Sequence, residues 1–287
     1  MYKDAKITIM KRVIIVHRWE GGSRDDWRPW LKSELEKLGY EVQVPDMPDT
    51  NTPVVDKWVK KLVEVVGTPD ANTYFVGHSI GCQTILRYLE TINTPVGGAV
   101  FVAGWFNLDN LESDEVKEIA KPWIETPINL EKVKSVLPTA TLIISENDPY
   151  GCLEENKQKF SGVMTKGIVV PFAGHFTTED GYAEIPTVLD ELKGFLAPDV
   201  LKLRLKEEGF THVFDWHDEP DTRYESHHHK GKISFYVLRG SVTFSGGITE
   251  TIKAGERFDV PVEVEHSAVV DHEGCDWVVG EEIEGDS

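Results

Sequence analysis

At 287 residues, with 40% hydrophobic and 28% charged side chains, the chain is long for one core and comfortable for two globular domains. Its formal charge of −19 argues against a nucleic-acid or anionic-membrane partner, and no apolar run approaches the roughly 18 residues of a membrane span. Three cysteines without CxxC spacing (Cys82, Cys152, Cys275), and no apolar h-region in residues 1–12, set the expectation of reduced thiols and a cytoplasmic location.

The first two-thirds alternate short β-rich runs with amphipathic helices. "RVIIV" (12–16) reads as a buried strand. Ser23 is expected to cap a helix carrying Trp27, Trp30, Leu31, Leu35 and Leu38 at helical spacing, stopped by Gly39. "EVQV" (41–44) is a second strand; Val55, Trp58, Val59, Leu62 and Val66 mark the next helix, ended by Gly67. "TYFV" (73–76) leads into a helix from Ile80. "GAVFVA" (98–103), "ATLIIS" (140–145) and "GIVVP" (167–171) complete the strands, and a last helix is expected from about Tyr182 to Leu196. This alternation predicts an α/β domain over 1–197, a parallel sheet with helices on both faces. From about Gly209 the texture changes to short alternating runs between Gly, Asp and Glu turns, which predicts an all-β module, a small barrel or jelly roll. The second domain is placed at 198–287, with "VLKLRLKEEG" as a connecting helix.

"FVGHSIGCQ" (75–83) sets Ser79 between two glycines, directly after an apolar run and at the start of a helix. GxSxG alone is a weak signal in a chain with 24 glycines, but a nucleophile elbow needs this strand–turn–helix setting. The Ile80 N–H, at the helix start, then points where an oxyanion would form. A serine hydroxyl needs a general base, and the base an orienting acid. Asp148 lies just beyond the "ATLIIS" strand and His175 just beyond "GIVVP". Both therefore sit at carboxyl ends of parallel strands, as Ser79 does. Cys82, one turn past Ser79, reads as a buried thiol.

Residues 12–196 resemble the small serine hydrolases of the retinoblastoma-binding protein 9/YdeN family, within the α/β-hydrolase fold. The resemblance is carried by "HRWEGGSRDDWRPWLKSELEKLGYEVQVPDMP", "GHSIG", "SENDPYG" and "AGHF". It implies Ser79 as nucleophile, Asp148 as acid and His175 as base. It also implies a second oxyanion donor at the backbone N–H of Arg18 or Trp19, where the family usually carries a small residue in place of Arg18. His17 is expected to brace that loop. Residues 104–130 fall where a cap would lie, so Trp19, Trp105 and Trp123 are candidates to line an aromatic pocket or to pack the core.

"YESHHHKGKISFYVLRG" (224–240) and "AGERFDVPVEVEHSAVV" (254–270) resemble the two signature motifs of the cupin barrel. That resemblance implies His227, His229 and His266 as ligands of a divalent transition metal. Cupin oxygenases and isomerases usually carry a glutamate shortly after the second histidine; here Ile233 or Ser234 stands at that place. The expected function is hydrolysis of an ester or amide in a small molecule, with no cofactor for that chemistry. The barrel is expected to bind metal or ligand, or to form a homodimer. Two alternatives stand beside this: a non-catalytic interaction module, and a metal-dependent cupin enzyme.

Overall fold

Six apolar runs form one fully parallel sheet in order β2-β1-β3-β4-β5-β6: β1 (Arg12–Val16), β2 (Glu41–Gln43), β3 (Thr73–His78), β4 (Gly98–Val102), β5 (Ala140–Ser145) and β6 (Lys166–Val170). The computed structural model describes residues 11–195 and 198–282, and the chain divides into two compact units, Lys11–Leu192 and from Lys193 onward. The first ten residues, and Leu196 at the expected end of the last helix, lie outside the described residues. The inner strands are buried along their whole length, as parallel strands covered on both faces must be. Helices α1 (Arg28–Lys37), α2 (Val55–Val66), α3 (Ile80–Leu89), α4 (Asp114–Glu125), α5 (Leu130–Val136), α6 (Leu153–Phe160) and α7 (Pro186–Gly194) complete this α/β unit.

Two helix starts differ from expectation. Ser23 does not cap α1, which begins only at Arg28, with Trp27 at its N-cap and a proline in the first turn. Ser23 instead donates its N–H to Asp46 Oδ1 (2.8 Å). Helix α7 starts at Pro186, not Tyr182, because Tyr182 N–H turns back to the Thr177 carbonyl (2.9 Å). Proline suits a first helical turn, where its missing N–H has no partner to lose.

The second unit begins with α8 (Pro198–Glu207) and eight strands: β7 (His212–Asp218), β8 (Arg223–His227), β9 (Ile233–Arg239), β10 (Ser241–Gly246), β11 (Thr251–Lys253), β12 (Arg257–Val260), β13 (His266–Val270) and β14 (Cys275–Glu281). They form two antiparallel sheets, β12-β9-β14-β7 and β11-β10-β13-β8. First strand pairs with last and second with seventh, which is the jelly-roll connectivity of the cupin fold. Alternation along β9 sends Phe235 and Val237 into the barrel core and Tyr236 outward. Helix α8 covers that outer face, packing Leu201 and Leu205 on Tyr236 and Val278. The expected connector is thus a structural part of the barrel unit.

In the α/β unit, the segment after β1, the start of α1 and the loop after β6 are tied together by one carboxylate. Asp26 Oδ2 accepts from Arg18 Nε and from Arg28 Nη2, both at 3.0 Å. Its Oδ1 accepts from the Thr178 backbone N–H at 3.0 Å, in the loop after β6. Burial opposes the charge on Asp26, but the Thr178 N–H and the two guanidinium groups prevail and hold its pKa down at about 2. Arg28 is fully buried; burial weakens its hold on its proton, and Asp26 opposes that.

A carboxyl group with a lowered folded pKa contributes stability above its unfolded pKa and loses it as pH falls through the folded value. Asp26 therefore stabilises fully above about pH 4 and loses its contribution between pH 3.8 and about 2. Asp26→Asn is expected to cost about 2–3 kcal/mol at pH 7, read from urea midpoints. The gap between variant and wild type should narrow as pH falls through that window. A gap that stays constant from pH 7 to pH 2 would refute the charge-based account.

Candidate functional site

Ser79 caps the start of α3 with φ +55° and ψ −120°, a backbone conformation that side chains rarely adopt. The flanking glycines are there because nothing larger fits. A Cβ at Gly77 would lie 2.8 Å from the Cys82 backbone, and one at Gly81 would strike the Val16 carbonyl of the neighbouring strand. Helix α3 can pack this closely to β1 and β3 only without those side chains. The order of strands reverses between β1 and β3, so Ser79 and the turn carrying Arg18 and Trp19 flank the switch point, where α/β sheets leave a crevice.

Of the three residues predicted from separate loops, Ser79 and His175 line one cavity, and Asp148 is bonded to the imidazole without lining it. His175 Nδ1 lies 2.8 Å from Asp148 Oδ2, both side chains about nine-tenths buried. Asp148 Oδ1 accepts from the Tyr150 N–H (3.0 Å), which fixes the carboxylate's orientation. Ser79 and His175 line the same cavity of about 720 Å³, together with Arg18, Trp19, Trp105 and Tyr150. The Tyr150 ring meets the imidazole edge-on at 4.9 Å. Leu108, Leu111, Val116 and Ile119 add apolar lining, so within the expected cap region of 104–130 the stretch 105–119 borders the cavity that holds Ser79.

Several contacts were not legible in the sequence. Trp105 Nε1–H donates to Ser79 Oγ at 3.2 Å. His78 is buried and its Nε2 lies 2.8 Å from the His175 carbonyl, while Arg28 Nη1 sits 3.2 Å from its Nδ1. A carbonyl only accepts, so His78 carries its proton on Nε2 and takes the Arg28 hydrogen bond on Nδ1. Burial first, then the nearby His175 and Arg28, hold His78 well below the usual histidine range, consistent with that neutral form. Asp180 accepts from the N–H groups of His175 (2.9 Å) and Thr177 (3.0 Å). Those bonds outweigh its partial burial and lower its pKa. Asp180 lies five positions from the candidate histidine, too common a pattern to flag, and His78 lies 97 positions from it, beyond any local pattern.

His17 accepts the Met47 N–H on Nε2 (3.0 Å), so its Nδ1–H donates to the Arg18 carbonyl at 2.7 Å. Burial, the largest influence, lowers its pKa and keeps it neutral for this bracing. The Gly21 N–H reaches the same carbonyl (3.1 Å). The N–H of Ile80, at the first position of α3, has no intrahelical acceptor. Trp123 is not at the cavity: it is buried against Trp58, ring centroids 5.9 Å apart, and packs the core. Cys82 is fully buried, its thiol pushed up by burial and directed to the Val102 carbonyl (3.4 Å). The cavity mouth carries Glu20, Glu112, Glu115 and Glu179, none paired with a cation among the described residues, whereas its one arginine, Arg18, is held by Asp26.

In the barrel, the β13–β8 register sets His266 opposite His227, with His229 two residues on. The three histidines bring one ring nitrogen each to within 4.8 Å of one another. His227 Nδ1 donates to the Glu225 carbonyl (2.7 Å) and His266 Nδ1 to the Val264 carbonyl (2.8 Å). Each bond fixes a tautomer with its lone pair on Nε2. Burial, then the two neighbouring imidazoles, lowers the His229 pKa to about 4, so this ring is neutral near pH 7, and its Nε2 lies 3.1 Å from His227 Nε2. Ile233 lines the adjoining cavity of about 280 Å³, while Ser234 is buried and absent from that lining. Hydrocarbon therefore stands where the cupin motif usually has a carboxylate. The donor set, three clustered imidazoles of which two are braced by backbone carbonyls, fits a divalent transition metal.

Comparison with known proteins bears on the α/β unit. The ydeN gene product of Bacillus subtilis (strain 168) is 26% identical over 194 residues, covering 66% of this chain and 98% of the relative. Its crystal structure superposes with a TM-score of 0.61. Serine hydrolase RBBP9 of Rattus norvegicus is 25% identical over 173 residues, covering 60% of this chain and 87% of the relative. Est1E from Butyrivibrio proteoclasticus, at 13% identity, 66% of this chain, 89% of that chain and a TM-score of 0.51, shares the fold. The family model described as Serine hydrolase matches residues 13–194, and the chain belongs to the serine hydrolase family.

Proposed function

We propose that this hydrolase cleaves an ester or amide bond of a small molecule through Ser79, His175 and Asp148. The observation that carries the reading is the 2.8 Å contact of His175 with Asp148 beside a serine held at φ +55° in the same cavity. Ser79 Oγ attacks the carbonyl carbon as its proton passes to His175 Nε2. Asp148 accepts the hydrogen bond from Nδ1–H, stays ionised and stabilises the imidazolium. The C–O or C–N bond then breaks, His175 returns the proton to the leaving oxygen or nitrogen, and water releases the acyl group from Ser79 by the same steps in reverse.

The Ile80 N–H and an N–H of the Arg18–Trp19 turn serve the oxyanion. Trp19 is the better candidate of the two. His17 and Gly21 hold the Arg18 carbonyl, and in a trans peptide the Trp19 N–H points the opposite way. The Trp105 indole occupies a lone pair of Ser79 Oγ and leaves the hydroxyl proton to face the base. Four unpaired glutamates at the mouth favour uncharged or cationic substrates over anionic ones. No metal is needed for these steps. Three free cysteines agree with a cytoplasmic site of action.

The barrel, on this reading, holds one divalent transition metal on His227, His229 and His266. Bound there, the ion would supply a Lewis-acid centre. His227 and His266 would hold it through Nε2 lone pairs, their rings kept in place by the Glu225 and Val264 carbonyls, and His229 would supply the third ring nitrogen in place of its 3.1 Å contact with His227 Nε2.

A fluorophosphonate probe should label the wild type and not Ser79→Ala. That variant should lose on the order of 10⁶ in kcat, the scale seen for a triad serine in a protease, and Asp148→Asn about 10⁴. Ser79→Ala activity within tenfold of wild type would sink the triad. Trp105→Phe keeps the ring and removes the donor; its kcat should fall about two- to tenfold, the worth of one hydrogen bond, with KM little changed. An unchanged kcat would remove Trp105 from the machinery. Elemental analysis should find about one transition metal per chain in wild type and none in a His227→Ala, His266→Ala double variant. Chelation should leave ester hydrolysis unaffected; hydrolysis that vanishes with the metal and returns with it would contradict independent sites.

A further inference from the structure

The cavity above the three histidines is not a generic pocket. Its lining is mostly apolar and aromatic, and among the described residues Glu281 is the only carboxylate on it. Resting on the metal reading above, the charge balance is simple. A divalent ion on three neutral imidazoles, offset by Glu281, leaves one positive charge in an apolar cavity. An uncompensated charge in such surroundings is costly. The residue that would have cancelled it from the protein side is replaced by Ile233, whose side chain faces the cavity and can neither ligate nor neutralise. An anionic ligand would supply the missing negative charge.

The walls say what the rest of that ligand looks like. Phe235 and Trp277 meet edge-on at 4.7 Å, and Phe244 lies 6.0 Å from Phe235 and 5.6 Å from the His266 ring. At the mouth Trp216 is 50% exposed, an unusual place for a large apolar ring. It is nevertheless fixed, its Nε1–H donating to Asp218 Oδ1 at 3.2 Å. A rigid aromatic surface leading to a metal site favours a flat apolar body, through edge and face contacts with these rings. At about 280 Å³ the space lies at the small end of ligand cavities.

We propose that the metal-loaded barrel binds a small aromatic monocarboxylate. The carboxylate occupies the open metal face beside Ile233, and the ring lies between Phe235, Phe244 and Trp216. This is a binding site separate from the Ser79 cavity, with its own ligand class.

The test uses the full chain loaded with Co²⁺. Visible absorption and elemental analysis first report the ion, and tryptophan fluorescence then follows titrations with benzoate, acetate, benzyl alcohol and benzylammonium. Benzoate should perturb the Co²⁺ spectrum and bind at least tenfold tighter than each of the other three. The metal-free protein should lose that preference. Ile233→Glu restores a carboxylate beside the ion; it should hold Co²⁺ more tightly and bind benzoate at least tenfold more weakly. Trp216→Ala, a change at a half-exposed position, should weaken benzoate two- to tenfold and leave acetate unchanged. Failure to bind Co²⁺ would overturn the metal reading and this proposal with it. Co²⁺ binding with benzoate no better than acetate or benzylammonium, or equal benzoate binding without metal, would overturn this proposal alone.

Discussion

A single buried carboxylate organises the rim of the hydrolase sheet. Asp26 gathers a guanidinium from the turn after β1, a second from the start of α1 and a backbone N–H from the loop after β6. Strands fix the positions of their ends, but loops beyond them have no ladder to hold them. Where three loops must converge within hydrogen-bonding distance, something has to offset their conformational entropy. The chain from Asp26 through Arg28 and His78 to the His175 carbonyl does this with charged and neutral hydrogen bonds in a dry setting, where each is stronger than in water. Breaking one member would leave Arg28 buried without its counter-charge, so the network stands or falls together.

The second constraint is steric. Gly77 and Gly81 let α3 approach β1 so closely that the serine turn is pushed into positive φ. The strain at Ser79 is therefore a consequence of helix–strand packing, and the same packing delivers the open Ile80 N–H beside the hydroxyl. One arrangement thus sets both the candidate nucleophile and a candidate oxyanion donor. The cap adds apolar residues opposite and, through Trp105, a hydrogen bond to the serine itself.

The two units handle histidine in opposite ways. In the hydrolase, His175 is hydrogen-bonded to a carboxylate. In the barrel, three imidazoles face one another with no carboxylate among them, and burial keeps His229 neutral. The first environment suits proton transfer and the second suits lone-pair donation to a cation. Residue type is the same; the neighbours decide the chemistry.

Much of this was written in the chain itself. Periodicities of two and near four separated the α/β region from the β region, and strands such as Ala140–Ser145 fell where the apolar run placed them. Strand–serine–helix order, with an acid and a histidine just past later strands, singled out Ser79, Asp148 and His175, because parallel strands put all such loops at one edge. Local patterns failed where a competing local bond intervened, as at Ser23 and Tyr182. They also could not rank the tryptophans: Trp105 and Trp123 look alike in sequence, yet one touches the serine and the other packs against Trp58. Nor could they show the Asp26–Arg28–His78 network, whose members are joined to the loop after β6 only by folding. The sequence by itself determined which elements form and which residue types can do chemistry, since periodicity and spacing are local properties of the chain. Only the tertiary structure decided their hydrogen-bond partners, tautomers and charge states, because burial and long-range neighbours set these, and no local pattern encodes them.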